Sequence, residues 1–293
     1  MSGSVYAGVE LGGTKCVLTL ASSKDEQLAS EVVPTTMPDE TVGRIEQILV
    51  DWQRQQALKS LGIASFGPVD LDPASPTYGF ITTTSKVGWG GTDVAQRLKQ
   101  ALNVPTAFDT DVNGAAFAEI RWGAGQGMQD FAYITVGTGV GVGLIANGLA
   151  MRGFMHCELG HIRVTRLPGA DWPGACRFHG DCVEGLASGG ALAARFGGHP
   201  LDQLGEDDPV WSEVAHTIAQ LCHTIACTAA PRAIAIGGGV LERQPHLLRR
   251  IQPMLEESLN GYLDLPANFI RAPGLGAKAG PLGSIALAMD AVA

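Results

Sequence analysis

Val5-Tyr6-Ala7-Gly8-Val9-Glu10-Leu11-Gly12-Gly13-Thr14-Lys15-Cys16-Val17-Leu18-Thr19-Leu20-Ala21 is the stretch from which the fold can be read. Two short apolar runs, 5–11 and 16–21, flank the tetrapeptide Gly12-Gly13-Thr14-Lys15, so strand, tight turn and strand are expected there. The same grammar returns near the middle of the chain. Residues 130–136 read as a strand, Gly137-Thr138-Gly139 as a glycine turn, and apolar residues continue to Ile145. Each pair opens a run of alternating strands and helices, which predicts an α/β protein of two domains with one glycine turn apiece.

Outward from these turns, 28–33 can add a third strand. Val42, Ile45, Ile48, Leu49 and Trp52 recur at helical spacing within 39–58. Further strands are expected at 61–66 and 104–108, with helices near 92–102 and after Asp111. The least charged window, 221–241, is interrupted by Pro231, Arg232 and Gly237-Gly238-Gly239, so it reads as a buried helix and a buried strand and not as a membrane span. The Ala-rich end, 278–293, reads as a closing helix. The expected division is 1–113, completed by helix 278–293, against 114–277, which carries a loop over 154–185.

A length of 293 residues suits two packed domains, and 45% apolar against 17% charged residues marks a globular chain. A net charge of −9 weighs against a nucleic-acid partner. Six cysteines are few for this length and do not form a disulfide framework, which points to a reducing compartment. Residues 1–5 show no basic and apolar leader, so a cytoplasmic location away from membranes is expected.

The chemistry-bearing residues fall into three groups. Gly12, Gly13, Thr14 and Lys15 offer backbone N–H groups, a hydroxyl and a cation, a set that suits phosphate oxygens, although a plain hairpin would use the same residues. The spacing is not that of a Walker loop. Gly137, Thr138 and Gly139 carry the same two readings, and one such turn on each wall would suit a nucleotide. Second, Asp109-Thr110-Asp111-Val112-Asn113 stands between a strand and a helix, where an Asp serves either as N-cap or as a general base at a strand's C-terminal end. Glu10, ending the first strand, could hold a hydrated metal or be a polar terminus. Third, His161 is followed by Cys176-Arg177-Phe178-His179-Gly180-Asp181-Cys182. His161, Cys176, His179 and Cys182 form a set of spacing and softness that suits one tetrahedral Zn²⁺. A filled shell marks a structural ion and disfavours a zinc hydrolase.

V-E-L-G-G-T-K, D-T-D-V-N-G-A-A, T-V-G-T-G-V-G-V-G-L, E-L-G-H and C-R-F-H-G-D-C-V-E-G, in this order, resemble the ROK family of sugar kinases from residue 5 to the C-terminal helix. The resemblance implies an actin-like, hexokinase-type fold of two RNase H-like domains around a cleft, ATP and Mg²⁺ as co-reactants, and a homodimer. By position it makes Asp111 the base that activates the sugar hydroxyl. It brings Glu158, His161 and Glu184 to the sugar hydroxyls, and Asn113 to the sugar or to loop support. It sets Gly12, Gly13, Thr14, Lys15, Gly137, Thr138 and Gly139 on the phosphates, and Gly238 and Gly239 beside the adenosine. Lys86 is a further phosphate or substrate contact, or else a solvated loop lysine.

Within the family, Asp109-Thr110-Asp111, the C-x-x-H-x-x-C form and the segment 79–89 ending at Trp89 are similar to fructokinases. Ser85 replaces a proline usual in that segment. Fructose is therefore the expected substrate, with mannose, glucose or an N-acetylhexosamine as the alternative. A sugar-sensing regulator of the same family is disfavoured, because no helix-turn-helix precedes the first strand.

Overall fold

The computed structural model describes residues 4–198 and 201–293. The chain divides into two compact units. The first runs to Gly123 and adds Ala150–His156 and Ala277–Ala293; the second holds Ala124–Leu149 and Cys157–Gly276.

In the first unit, Tyr6–Leu11 and Lys15–Ala21 pair antiparallel through the glycine turn, with Leu11 opposite Cys16. Gln27–Pro34 extends the sheet antiparallel. On the other side Ser60–Ser65 and then Thr106–Thr110 add in parallel. Parallel addition needs crossovers, supplied by helices Pro38–Gln55 and Ala95–Leu102. The first has Pro38 near its start, Asp39 and Glu40 in its first turn, and buries Val42, Ile45, Ile48, Leu49 and Trp52. It stops at Gln55, short of the expected 58. The expected helix 92–102 starts only at Ala95, because Thr92–Asp93 pairs with Phe80–Ile81 as a small antiparallel ribbon and Asp93 caps the helix from outside. The strand expected at 104–108 lies at Thr106–Thr110, because Asn103 in the left-handed region ends the preceding helix and the chain re-enters the sheet after Pro105.

Helix Asp111–Trp122 runs unbroken through the expected boundary at 113/114, and the division falls after Gly123 instead. The reason is its packing. Gly114 and Gly283, on the C-terminal helix Ala279–Asp290, approach so closely that a Cβ on Gly283 would lie 2.5 Å from the Gly114 carbonyl carbon. The C-terminal helix lies equally close to the sheet, where a Cβ on Gly62 would lie 1.9 Å from Ser284 O and 2.4 Å from Ala288 N. Those neighbours are backbone and cannot turn aside. Gly62→Ala is expected to destabilise the first unit by about 3 kcal/mol, a fall of roughly 6–12 °C in its melting temperature. An unchanged melting curve would mean that helix and sheet separate freely.

The second unit repeats the plan. Val140–Ala146, Phe131–Val136, Ile234–Gly237 and Ile270–Arg271 stand in that spatial order, the first pair antiparallel and the others parallel, with Leu149–Ala150 at the edge beyond Val140–Ala146. Helices Pro209–Thr228 and His246–Leu259 cover the sheet, burying Trp211, Ile218, Leu221, Ile225, Leu247, Ile251 and Leu255. The low-charge window is thus the end of one buried helix followed by strand Ile234–Gly237. Among the described residues no helix is long and apolar enough to cross a membrane.

Candidate active site and metal centre

In the first unit the glycine turn is closed by Gly12 N–H donating to Lys15 O at 3.0 Å, and Thr35 Oγ1 donates to Gly12 O at 2.7 Å. A Cβ on Gly12 would lie 2.7 Å from Lys15 O, so a side chain there would push the hairpin open. Lys86 reaches across to donate its Nζ to Gly13 O at 2.6 Å. It is therefore a fastener of the turn in this structure and not a loosely solvated loop residue. Glu10 sits at the end of the strand feeding the turn; burial raises its carboxyl above the usual range and Lys15 partly offsets that. Its carboxylate lies against Gly280, where a Cβ would meet Oε1 at 2.0 Å.

Thr106–Thr110 delivers the Asp109-Thr110-Asp111 turn at the C-terminal end of a parallel strand. Of the two aspartates the cap is neither: Thr110 is the N-cap, its side chain accepting from Asn113 N at 3.1 Å. Asp109 is buried, and its Oδ1 accepts from Thr110 N at 2.8 Å and Asn113 Nδ2 at 2.7 Å. Asp111 opens the helix, is half-buried, and accepts from Val112 N at 2.9 Å. Asn113 is buried, with its amide nitrogen donating to Asp109. Arg152, which nothing in the local pattern singles out, donates Nη2 to Asp109 Oδ2 at 2.8 Å.

In the second unit the turn Gly137-Thr138-Gly139 is held from behind by a segment not singled out in the sequence. Gly189 N donates to Gly137 O at 2.7 Å and Gly190 N to Thr138 O at 3.1 Å. Ser188 caps the helix these glycines open. A Cβ on Gly190 would lie 2.8 Å from Thr138 O, which explains the paired glycines. Glu184 Oε2 accepts from Val140 N at 3.1 Å, so one oxygen of this expected sugar ligand is spent on the glycine turn. Glu158 lies near it: burial, reinforced by the Glu184 charge, pushes the Glu158 carboxyl up to about 7. Gly238 holds φ +93° with a Cβ position 2.6 Å from Val136 N, so only glycine lets the chain pass there into the short helix Gly239–Arg243.

His161, Cys176, His179 and Cys182 converge with all ligand atoms within 4.8 Å of one another. Cys176 Sγ lies 3.7 Å from His161 Nδ1 and 3.6 Å from His179 Nδ1, and Cys182 Sγ 3.6 Å from His161 Nδ1. A tetrahedral Zn²⁺ with its usual S and N bond lengths sets S and N about 3.6 Å apart, so the donor set fits the ion. The knuckle is shaped by reciprocal bonds between Cys176 and Gly180 and by Gly185, whose Cβ would lie 1.9 Å from Gly180 O. His161 presents Nδ1 to the sulfurs, and its Nε2 lies 4.0 Å from Glu184 Oε1.

The model of the ROK family matches residues 6–291. This chain belongs to the ROK family. It is 41% identical over 298 residues to a fructokinase of Zymomonas mobilis, covering 98% of this chain and 97% of that one. It is 39% identical over 275 residues to a fructokinase of Lactococcus lactis, covering 92% of each. A crystal structure of a ROK glucokinase from Streptomyces griseus with glucose and AMPPNP superposes with a TM-score of 0.78 at 26% identity, covering 98% of this chain and 100% of that one. The α/β architecture of this ROK chain is thus the actin-like, hexokinase-type fold that the family resemblance implied.

Proposed function

We propose that this chain is an ATP-dependent hexose 6-phosphotransferase whose substrate is D-fructose. The observation that carries the reading is the full-length identity of 41% and 39% to enzymes named fructokinase, well above the 26% to the glucokinase. Asp111 takes the proton of the sugar's primary hydroxyl as that oxygen attacks the terminal phosphorus of ATP. What supports this is its place at a strand's end and helix start, half-buried, while its neighbour Asp109 is consumed by structural bonds. Gly12, Gly13, Thr14 and Lys15, with Gly137, Thr138 and Gly139, bind the phosphates, and Gly238 and Gly239 admit the adenosine. Glu158, His161 and Glu184 bind sugar hydroxyls, His161 through the Nε2 that faces away from the metal set.

Glu10, beside Lys15 and the phosphate-type turn, would hold a hydrated Mg²⁺, whose charge offsets that on the transferred phosphoryl group. His161, Cys176, His179 and Cys182 would hold a structural Zn²⁺ that braces the loop bearing Glu158 and Glu184. The same reading has the enzyme acting in the cytoplasm as a homodimer on free sugar and ATP.

A coupled ADP-release assay over a panel of hexoses tests the substrate. Fructose is expected to give kcat/KM at least about tenfold above glucose, mannose and N-acetylmannosamine, a margin that one lost hydroxyl contact can supply. Turnover of glucose or N-acetylmannosamine without fructose would overturn the assignment.

A further inference from the structure

The turn that carries Asp111 is held by a residue 43 positions away in the chain. Asp109 is 3% exposed, and among the described residues its hydrogen-bond partners are the Thr110 amide, the Asn113 side-chain amide and the Arg152 guanidinium. Of these only Arg152 brings a charge. Arg152 sits on Ala150–His156, which belongs to the same unit. That segment is pinned at both ends. Arg152 and His156 bridge antiparallel, and His156, itself buried, accepts Val69 N–H on Nε2 at 3.0 Å. Tyr78 stands beside the pair, its phenol raised first by burial and then by the Asp109 charge, with Arg152 acting in the opposite sense.

The burial is asymmetric: the Arg152 side chain is 41% exposed and that of Asp109 4%. An exposed arginine loses little when its partner goes, whereas a buried carboxylate stripped of its cation must take up a proton or move into water. Either change alters the Asp109 oxygens on which Thr110 and Asn113 hang, and so the start of the helix at Asp111. We propose that Arg152 is a positioning residue of the catalytic turn, its guanidinium holding Asp109 in place so that the Thr110–Asn113 backbone, and with it Asp111, keeps the geometry for proton abstraction. This rests on the reading of Asp111 as the base. Arg152 touches no reacting atom in it.

The test uses the full chain and Arg152→Met. With the fold intact, kcat for fructose is expected to fall about 10- to 100-fold, the loss that follows small misplacement of a catalytic group, with KM for ATP within about twofold. Amide hydrogen exchange across Thr110–Asn113 is expected to quicken about tenfold or more. Asp109→Asn combined with Arg152→Met should lose no more than Arg152→Met alone, since a neutral amide needs no cation. Arg152→Lys should restore part of kcat and carries the same two readouts if the methionine variant does not fold. Unchanged exchange with kcat within twofold of the parent, or fully additive losses in the double variant, would overturn the proposal. So would a rise in KM for fructose alone at unchanged exchange, which is the mark of direct sugar contact. If the parent chain phosphorylates no hexose, the functional reading fails, while the exchange measurement still decides the role of Arg152.

Discussion

Asp111→Asn is expected to lower kcat for fructose by about 10²–10⁴-fold, the usual contribution of a positioned general base. The amide retains an oxygen that can accept from Val112 N, the bond Asp111 makes at 2.9 Å, so the helix start should keep its shape. What disappears is the capacity to receive a proton. Melting temperature and ATP affinity should therefore stay close to those of the parent, and the loss should appear in kcat with KM for fructose little changed. Nucleotide affinity by titration calorimetry and ADP release measured on one preparation separate these terms. A variant that keeps near-normal turnover would remove Asp111 as the base. The neighbouring aspartate is a poor substitute in any case, since Asp109 is buried with both oxygens committed.

The second large effect is expected from metal removal. Zinc in small structural sites contributes about 10–16 kcal/mol of apparent binding free energy. Dialysis against a strong chelator should remove one zinc per chain, measured by plasma mass spectrometry, and abolish fructose turnover; Cys176→Ser should do the same without a chelator. The bond from Val140 N to Glu184 extends the effect beyond the sugar ligands. Glu184 sits two residues after Cys182, a proposed zinc ligand, and its carboxylate accepts from Val140 N beside the turn Gly137-Thr138-Gly139. ATP affinity should therefore weaken together with sugar affinity, and not after it as a loop serving the sugar alone would require. Full activity in a chain shown to carry no zinc would sink the brace. The core of the second unit, centred on Trp211, Ile218 and Ile251, lies under helices that carry none of the four ligands and should survive chelation.

Much of this was legible in the linear order of residues, for a definite reason. Gly12-Gly13-Thr14-Lys15 between two apolar runs leaves the backbone little choice but a hairpin, and Val42, Ile45, Ile48, Leu49 and Trp52 can share a face only on a helix. C-x-x-H-x-x-C brings its own donors within reach by local geometry, as with Cys176 Sγ and His179 Nδ1 at 3.6 Å, whereas His161 joins them from 15 and 21 residues away. Where local preference was weak, boundaries moved. Thr92–Asp93 joined a ribbon instead of the following helix, and helix Asp111–Trp122 carried the first unit on to Gly123 because its glycine face is packed on the C-terminal helix.

What the order of residues carried by itself is therefore the family and the two glycine turns, together with the proposals of a Cys/His metal set and of Asp111 as the base, all of which start from motif chemistry. Tertiary structure alone decided what each of these leans on. Arg152 meets Asp109 across 43 residues, and Glu184 meets Val140 across 44. Gly62 is a glycine because Ser284 and Ala288 lie against it. Periodicity reports only which side of an element faces inward. Which distant backbone or charge fills that side is set by how the whole chain closes on itself, and no local pattern encodes it.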